Sequence, residues 1–312
     1  MMQPRVTIIC LCYNHECFLA EALDSVLAQT YPNLEVIIVD DSSTDGSVAI
    51  IQAYLAKHPQ ITFISTGQNV GNCSAFNMGW QASTGDFIID FATDDVLLPE
   101  RVAQQVEAFQ KLDKSYGVVY SDAAYITDAS EYLYLHSQKY KAAPDGDVFA
   151  EVLRRYFICP PTVMVRRAVL EKLGGYDATL AYEDFDFWVR SAREFKYYYL
   201  DKVTTKRRVH DASLSGKLYK SGDKMLASTV VVCRKAAALV QTQAEQQALV
   251  QRLKYEARHA YLTANFREAT ALLHLLETTV ALPVTYRVIA YLSKQKINLG
   301  FLRVMYHIVK GK

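Results

Sequence analysis

The feature that most constrains this chain is an alternation in its first half. Val6–Cys12, Leu34–Val39, Ile61–Ser65, Phe87–Phe91 and Val118–Tyr120 are short runs rich in β-branched or aromatic residues, each followed by a polar or glycine-containing turn. That is the pattern of strands buried on both faces. Between them, Glu16–Gln29, Ser47–Lys57, Cys73–Ser83 and Glu100–Leu112 carry apolar residues at helical spacing. In the first, Phe18, Leu19, Ala22, Leu23, Val26 and Leu27 make one face. Pro99 stands where a helix can begin, because its missing N–H costs nothing in the first turn. Strands alternating with helices imply an α/β fold, a largely parallel sheet covered by helices. Ligands of such sheets gather at the carboxyl ends of the strands.

The pattern weakens from Asp122 to Asp147, where tyrosines and charged residues predict a long loop or irregular hairpin. It returns with Val148–Tyr156, Thr162–Val165, Ala168–Leu173, Phe185–Phe195 and Tyr197–Leu200. After about Lys217 the strand-like runs stop, and Tyr255–Leu276 reads as a helical hairpin hinged near Asn265. The expected organisation is a domain over residues 1–216 and an all-helical C-terminal extension over residues 217–312. With 34 basic and 33 acidic residues the formal charge is +1, which supplies no general attraction for nucleic acid. The six cysteines are scattered without a CxxC pair, so a zinc site is not expected and reduced thiols in a cytoplasmic protein are. No secretory leader precedes Val6 and no stretch has the length and apolarity of a membrane span. The basic, aromatic end of the chain reads as a helical cap or as a peripheral contact with an anionic membrane through Lys294, Lys296, Arg303, Lys310 and Lys312, beside Phe301, Leu302 and Tyr306.

Four clusters carry chemistry. Asp40-Asp41-Ser42-Ser43-Thr44-Asp45-Gly46 follows a strand; its carboxylates either accept hydrogen bonds from a nucleoside or simply form a turn and helix cap. Thr93-Asp94-Asp95 ends another strand. Adjacent carboxylates there raise one another's pKa unless a cation lies between them, and oxygen donors select Mg²⁺ or Mn²⁺; the plainer reading is an acidic helix start before Pro99. Gly174-Gly175-Tyr176-Asp177 leads to Glu183-Asp184, which either suit a helix dipole or supply a general base to an incoming hydroxyl. Arg207-Arg208-Val209-His210-Asp211 brings cations that suit a diphosphate and an imidazole that is either structural or within reach of a metal.

In order, Val6–Asn14, Ser25–Asp45, Asn69–Gly79, Gly85–Pro99, Gly174–Arg190 and Arg207–Ser213 resemble the motifs of the family 2 inverting glycosyltransferases, whose fold is called GT-A. The resemblance covers roughly residues 5 to 215. It implies that Tyr13, Asp40, Asp41, Asn77, Asp94, Arg207 and Arg208 bind a nucleotide-sugar donor, UDP-linked by default, with Asp40 setting its loop. It implies a Mn²⁺ or Mg²⁺ ion on Asp95, foremost, with Asp94 and His210. Asp184 matches the catalytic base, and Glu183 and Trp188 the acceptor side. The acceptor implied is a glycan or lipid-linked glycan. Two positions depart from the pattern: Ala92 stands where many members carry another Asp, and Phe76 where many carry Arg. A dehydrogenase would need a Gly-rich turn after the first strand, where Cys12-Tyr13-Asn14-His15-Glu16 has none. A nucleotidyltransferase would show a Gly-rich basic loop near the N-terminus. A non-catalytic nucleotide-sugar or glycan-binding protein with a helical partner-binding tail is the remaining alternative.

Overall fold

The computed structural model describes residues 3–140, 143–210, 222 and 224–299. They divide into two compact units. One holds the chain up to Val148 together with Phe157–His210; the other holds Phe149–Tyr156 and the residues from Asp211 on. The expected boundary at 216/217 lies outside the described residues, as do Arg303, Lys310, Lys312, Phe301, Leu302 and Tyr306.

The first unit is built on one mixed sheet. Strands β1 (Val6–Cys12), β2 (Leu34–Asp40), β3 (Thr62–Ser65) and β4 (Phe87–Ala92) alternate with helices α1 (Leu19–Leu27), α2 (Ser47–Lys57) and α3 (Asn72–Ala82). Next come β5 (Val96–Leu97), α4 (Arg101–Lys111), β6 (Tyr116–Ile126), β7 (Tyr132–Leu135), β8 (Met164–Arg166), α6 (Arg167–Leu173), α7 (Asp184–Glu194) and β9 (Lys196–Arg208). Strand order is β3-β2-β1-β4-β8-β6-β9-β5, with β7 also on β6. The β3-β2-β1-β4 half is parallel, as the alternation predicts. Beyond it β8 runs antiparallel to both β4 and β6, while β9 is parallel to β6. The stretch expected as a loop or irregular hairpin is the long end of β6 folded back on β7.

Every residue of β1 is buried, because helices cover both faces of the sheet. On one side Leu19, Ala22, Leu23 and Val26 of α1 join Ile8, Cys10, Ile38, Ile89 and Phe91 in the main core. On the other, Gly79 lets α3 approach the sheet: a Cβ there would stand 2.5 Å from Ile9 Cγ2. Register then aligns the strand ends. Cys12 lies opposite Asp40, and Leu11 opposite Ala92, so the loops after β1, β2 and β4 leave from one edge.

The second unit is helical: α5 (Phe149–Arg154), α8 (Lys224–Leu239), α9 (Gln243–Leu262), α10 (Phe266–Thr279) and α11 (Val284–Lys294). Thr242 and Glu245 form a capping box at the start of α9. Ala264, at φ 58°, and Asn265 make the turn of the expected helical hairpin. Its centre is an ion pair, Arg252 to Glu256 at 3.0 Å, with side chains only 2% and 1% exposed. Arg252 also donates to Leu153 O at 2.9 Å and stacks over Tyr156 at 4.2 Å, so one guanidinium ties the inserted segment to α9. No helix among the described residues is long and apolar enough to cross a membrane. Arg252→Ala strands a buried carboxylate and is expected to cost about 3–5 kcal/mol, whereas Arg252→Met with Glu256→Leu removes that charge and is expected to cost less, about 1–3 kcal/mol for the carbonyl left unmet. Chemical denaturation of the three proteins checks this; a single variant as stable as wild type would contradict it.

Candidate active site

Loops after β1 and β2 are stitched together by side chains that accept or donate locally. Asn14, at φ 57°, accepts from Thr44 N at 2.7 Å through Oδ1, and its own N–H donates to Ser43 Oγ at 2.9 Å. Asp45 receives Glu16 N and Ser47 N, each at 3.0 Å, which fixes the start of α2. Asp40 is 1% exposed and accepts Ser43 N on Oδ2. Asp41 takes Val70 N at 2.8 Å and Thr66 Oγ1 at 3.0 Å on Oδ1, and Gly71 N at 2.9 Å on Oδ2. It therefore shapes the loop leading into α3, with acceptor capacity to spare. Tyr13 stands at the rim, 46% exposed.

At the end of β4, Thr93 Oγ1 donates to Leu11 O at 3.0 Å and meets His15 Nδ1 at 2.9 Å. Asp95 Oδ1 accepts the backbone N–H of Arg208 at 2.7 Å. That bond closes the tip of β9 onto the loop after β4. The guanidinium of Arg208, 1% exposed, then donates to Asp94 O, Thr127 O, Asp128 O, Ser130 Oγ and Glu21 Oε2, and lies 4.7 Å over the ring of Phe18. The closure brings His210 Nε2 within 3.0 Å of Asp94 Oδ2. Burial by itself would raise the pKa of Asp94, but the His210 hydrogen bond and the charges of His15 and His210 outweigh it and hold the carboxyl below its usual range. Asp95 is pushed well above that range by burial and by Asp94.

Asp94 Oδ1 is enclosed and has no hydrogen-bond partner. A buried unpartnered carboxylate oxygen is costly, and a cation resolves that cost. Carboxylate oxygen with imidazole fits a divalent ion such as Mn²⁺. Among the described residues no three His, Cys, Asp or Glu side chains group closely enough to enclose a metal, so phosphate oxygens or water would have to complete its shell.

The third side of the site comes from α3 and the start of α7. Asn77 donates to Tyr176 O at 2.8 Å and accepts Tyr176 N at 2.9 Å, pinning the Gly174-Gly175 turn; a Cβ on Gly175, at φ 81°, would lie 2.6 Å from Asn77 Oδ1. Phe76 stacks on Tyr176 at 4.1 Å between centroids. Asn72 donates to Glu183 Oε2 at 2.7 Å. Next to it Asp184 is half-buried, and its carboxylate has no hydrogen-bond partner among the described residues. Burial pushes its pKa well above the ordinary carboxylate range; Glu183 and Asp90 add to this and Arg207 opposes it. Arg207 donates to the Tyr125 hydroxyl at 3.1 Å and faces both Asp95 and Asp184. His210 meets Asp94, and the charge of Arg207 acts on both Asp95 and Asp184.

Two expectations need correction. Arg208 is consumed by its clasp and is not available to a diphosphate, because its N–H groups already meet protein acceptors. Trp188 is only 4% exposed on the packed face of α7 and does not present its ring to an acceptor. Asn77 engages its amide with the backbone of Tyr176 on both its oxygen and its nitrogen, which gives it a role in holding that turn. Two residues went unnoticed in the sequence. His15 faces Asp94 and His210, and burial lowers its pKa. Asp90 is a carboxyl inside β4 whose pKa burial and Glu183 raise strongly. The signal for Asp90 was present: an acidic residue in the middle of an otherwise apolar strand.

The family model described as glycosyl transferase family 2 matches residues 7–174. An uncharacterized glycosyltransferase of Rickettsia typhi is 32% identical over 211 residues, which cover 67% of this chain and 65% of that protein. Two solved structures share the fold. Staphylococcus aureus TarS 1–349, in complex with UDP-GlcNAc, superposes with a TM-score of 0.73 at 16% identity, covering 99% of this chain and 92% of that one. The mannosyltransferase PcManGT of Pyrobaculum calidifontis, in complex with GDP-Man and Mn²⁺, gives 0.61 at 19% identity, covering 95% and 86%. A GT-A sheet, a carboxylate-lined strand edge and a family match over more than half of its length lead to one conclusion: this chain belongs to glycosyltransferase family 2.

Proposed function

We propose that the protein transfers a sugar from a nucleoside-diphosphate sugar, UDP-linked by default, to a hydroxyl of a glycan or lipid-linked glycan, with inversion at the anomeric carbon. The observation that carries this reading is a pairing of carboxylates: Asp94 with an unpartnered oxygen beside His210, and Asp184 with no hydrogen-bond partner among the described residues, with the charge of Arg207 acting on Asp184 and on Asp95, the neighbour of Asp94. Support for the donor class comes from the fold relatives, which hold UDP-GlcNAc and GDP-Man.

Asp94 and His210 would hold a divalent ion, Mn²⁺ or Mg²⁺, which when bound neutralises charge on the departing diphosphate. Asp94, rather than Asp95, is the first protein ligand in this reading, because Asp95 is engaged with the Arg208 backbone. Asp41 shapes the nucleoside pocket and Tyr13 borders it. Asp184 takes the proton of the acceptor hydroxyl. The oxygen attacks C1 from the face opposite the diphosphate, the C1–O bond to phosphate breaks, and the nucleoside diphosphate leaves with that electron pair. Arg207 steadies the ionised form of Asp184 between Glu183 and Asp90.

Asp184→Asn keeps shape and size and removes the proton acceptor. Turnover, measured as nucleoside diphosphate release in donor–acceptor mixtures, is expected to fall by on the order of 10²–10⁴-fold. Nucleotide affinity by calorimetry is expected to stay within about two-fold, less than 0.5 kcal/mol. Turnover at the wild-type rate would remove Asp184 from the mechanism.

The pH dependence follows from the raised pKa of Asp184. A base must be unprotonated, so kcat/KM rises with pH through that pKa. The acid limb is expected well above about 4, the ordinary carboxylate range. A profile flat from pH 5 to 8, roughly the range over which ordinary carboxylates are already ionised, would contradict it.

A further inference from the structure

A second cavity, of about 300 Å³, opens in the first unit away from the carboxylate edge. Its walls come from β6, the turn after β7, Phe157 and β9. Tyr120, Phe157 and Tyr199 supply rings: the Tyr120 centroid lies 5.7 Å from that of Phe157 and 5.2 Å from that of Tyr199. Asp122 and Asp201 supply carboxylates, and among the described residues no Lys or Arg lines the cavity. Burial above all lowers the pKa of His136, in the wall.

These groups differ in how committed they are. Asp122 is spoken for: it accepts Ala123 N, Ser137 N and Ser137 Oγ. His136 has both ring nitrogens in hydrogen bonds, to the Tyr125 hydroxyl and Phe157 O. They make a rigid wall. By contrast, neither the Tyr199 hydroxyl nor the exposed Asp201 carboxylate has a hydrogen-bond partner among the described residues. A rigid pocket with aromatic faces and two uncommitted oxygens at its mouth is a built recess, within the size range of small-ligand sites.

Charge decides the class of ligand. The two carboxylates in the lining, with no cation among its described residues, repel phosphate and disfavour a nucleotide or phosphorylated group. Aromatic faces with hydroxyl and carboxylate acceptors suit a ring that is apolar on its C–H face and carries hydroxyl donors at its edge. We propose that this cavity is a remote subsite for an uncharged pyranose unit of the acceptor glycan, stacked on Tyr199 and hydrogen-bonded to Asp201. The assignment rests on the reading of the acceptor as a glycan.

The cavity is wired to the site of transfer. Tyr120 pairs with Tyr199 in the β6–β9 ladder, and Tyr125 pairs with Arg207. Five residues of strand separate the two levels, roughly 17 Å. Along that path His136 bonds Tyr125, and Tyr125 accepts from Arg207, the cation that faces Asp184. A glycan of several units is long enough to span that distance, so under this proposal acceptors that reach the cavity are expected to bind more tightly than short ones.

Calorimetry of the full chain without donor, with neutral tetrasaccharides of glucose, mannose, galactose and N-acetylglucosamine, tests the subsite. At least one is expected to bind, its monosaccharide more weakly. Tyr199→Ala and Asp201→Ala are each expected to weaken it about ten-fold or more, about 1.4 kcal/mol. Affinity for UDP and slow hydrolysis of a UDP-sugar are expected to be unchanged in both variants. Retained tetrasaccharide affinity in the variants, no binding of any probe to the wild type, or tighter binding of a phosphorylated tetrasaccharide would each overturn the assignment. Because the readout needs neither donor nor turnover, its failure is distinct from failure of the transfer reading, which UDP binding and Asp184→Asn address.

Discussion

The candidate site depends on where one guanidinium goes. Arg208 lies at the tip of β9, 113 positions after Asp95, and its backbone N–H and side chain fasten that tip to the loop after β4. The clasp is enclosed and shared with Glu21 on α1 and with the turn between β6 and β7. Only with this closure does His210 reach Asp94. Hydrogen bonds from a charged, buried donor are stronger than neutral ones, and leaving their acceptors unmet is costlier still. The imidazole is therefore placed by a network that takes no part in chemistry.

Opposite the clasp, charge is arranged against itself. Burial raises the pKa of Asp90, Glu183 and Asp184; Glu183 adds to the rise at both aspartates, Asp90 adds to it at Asp184, and the cation that opposes it for Asp184 is Arg207. Taking such carboxyls out of water and setting them near one another disfavours their ionised forms. Asn72 favours the ionised form of Glu183 by donating to it. Asp184 is left as a carboxyl of raised basicity at the mouth of the site, which suits proton abstraction from a hydroxyl better than an ordinary surface aspartate does.

Much of this was legible beforehand, and the reasons differ by element. β1, β2 and β4 are buried on both faces, so their apolar runs stand out without any alternation. α2 begins at Ser47, as its polar lead-in indicates. β6 and β9 were read short, because their polar and tyrosine-rich ends are satisfied by partners far along the chain, such as Ser121 with Thr204. Phe149–Tyr156 joins the helical unit through Arg252, a tertiary bond that local periodicity cannot foreshadow. Arg207 and Arg208 are neighbours on a strand and point to opposite faces, so one meets Asp184 and the other the clasp. Their order in sequence gave no hint of which was which. Asp94 and Asp95 divided their roles in the same way.

The central claim is that Asp94 and His210 offer a divalent cation a place that a nucleoside diphosphate completes. Electron paramagnetic resonance of Mn²⁺ titrated into the protein with and without UDP tests it directly. The account predicts weak Mn²⁺ binding alone, at least about ten-fold tighter binding with UDP, and loss of that gain in both Asp94→Asn and His210→Ala. Equal Mn²⁺ affinity in wild type and Asp94→Asn, with UDP present, would contradict it.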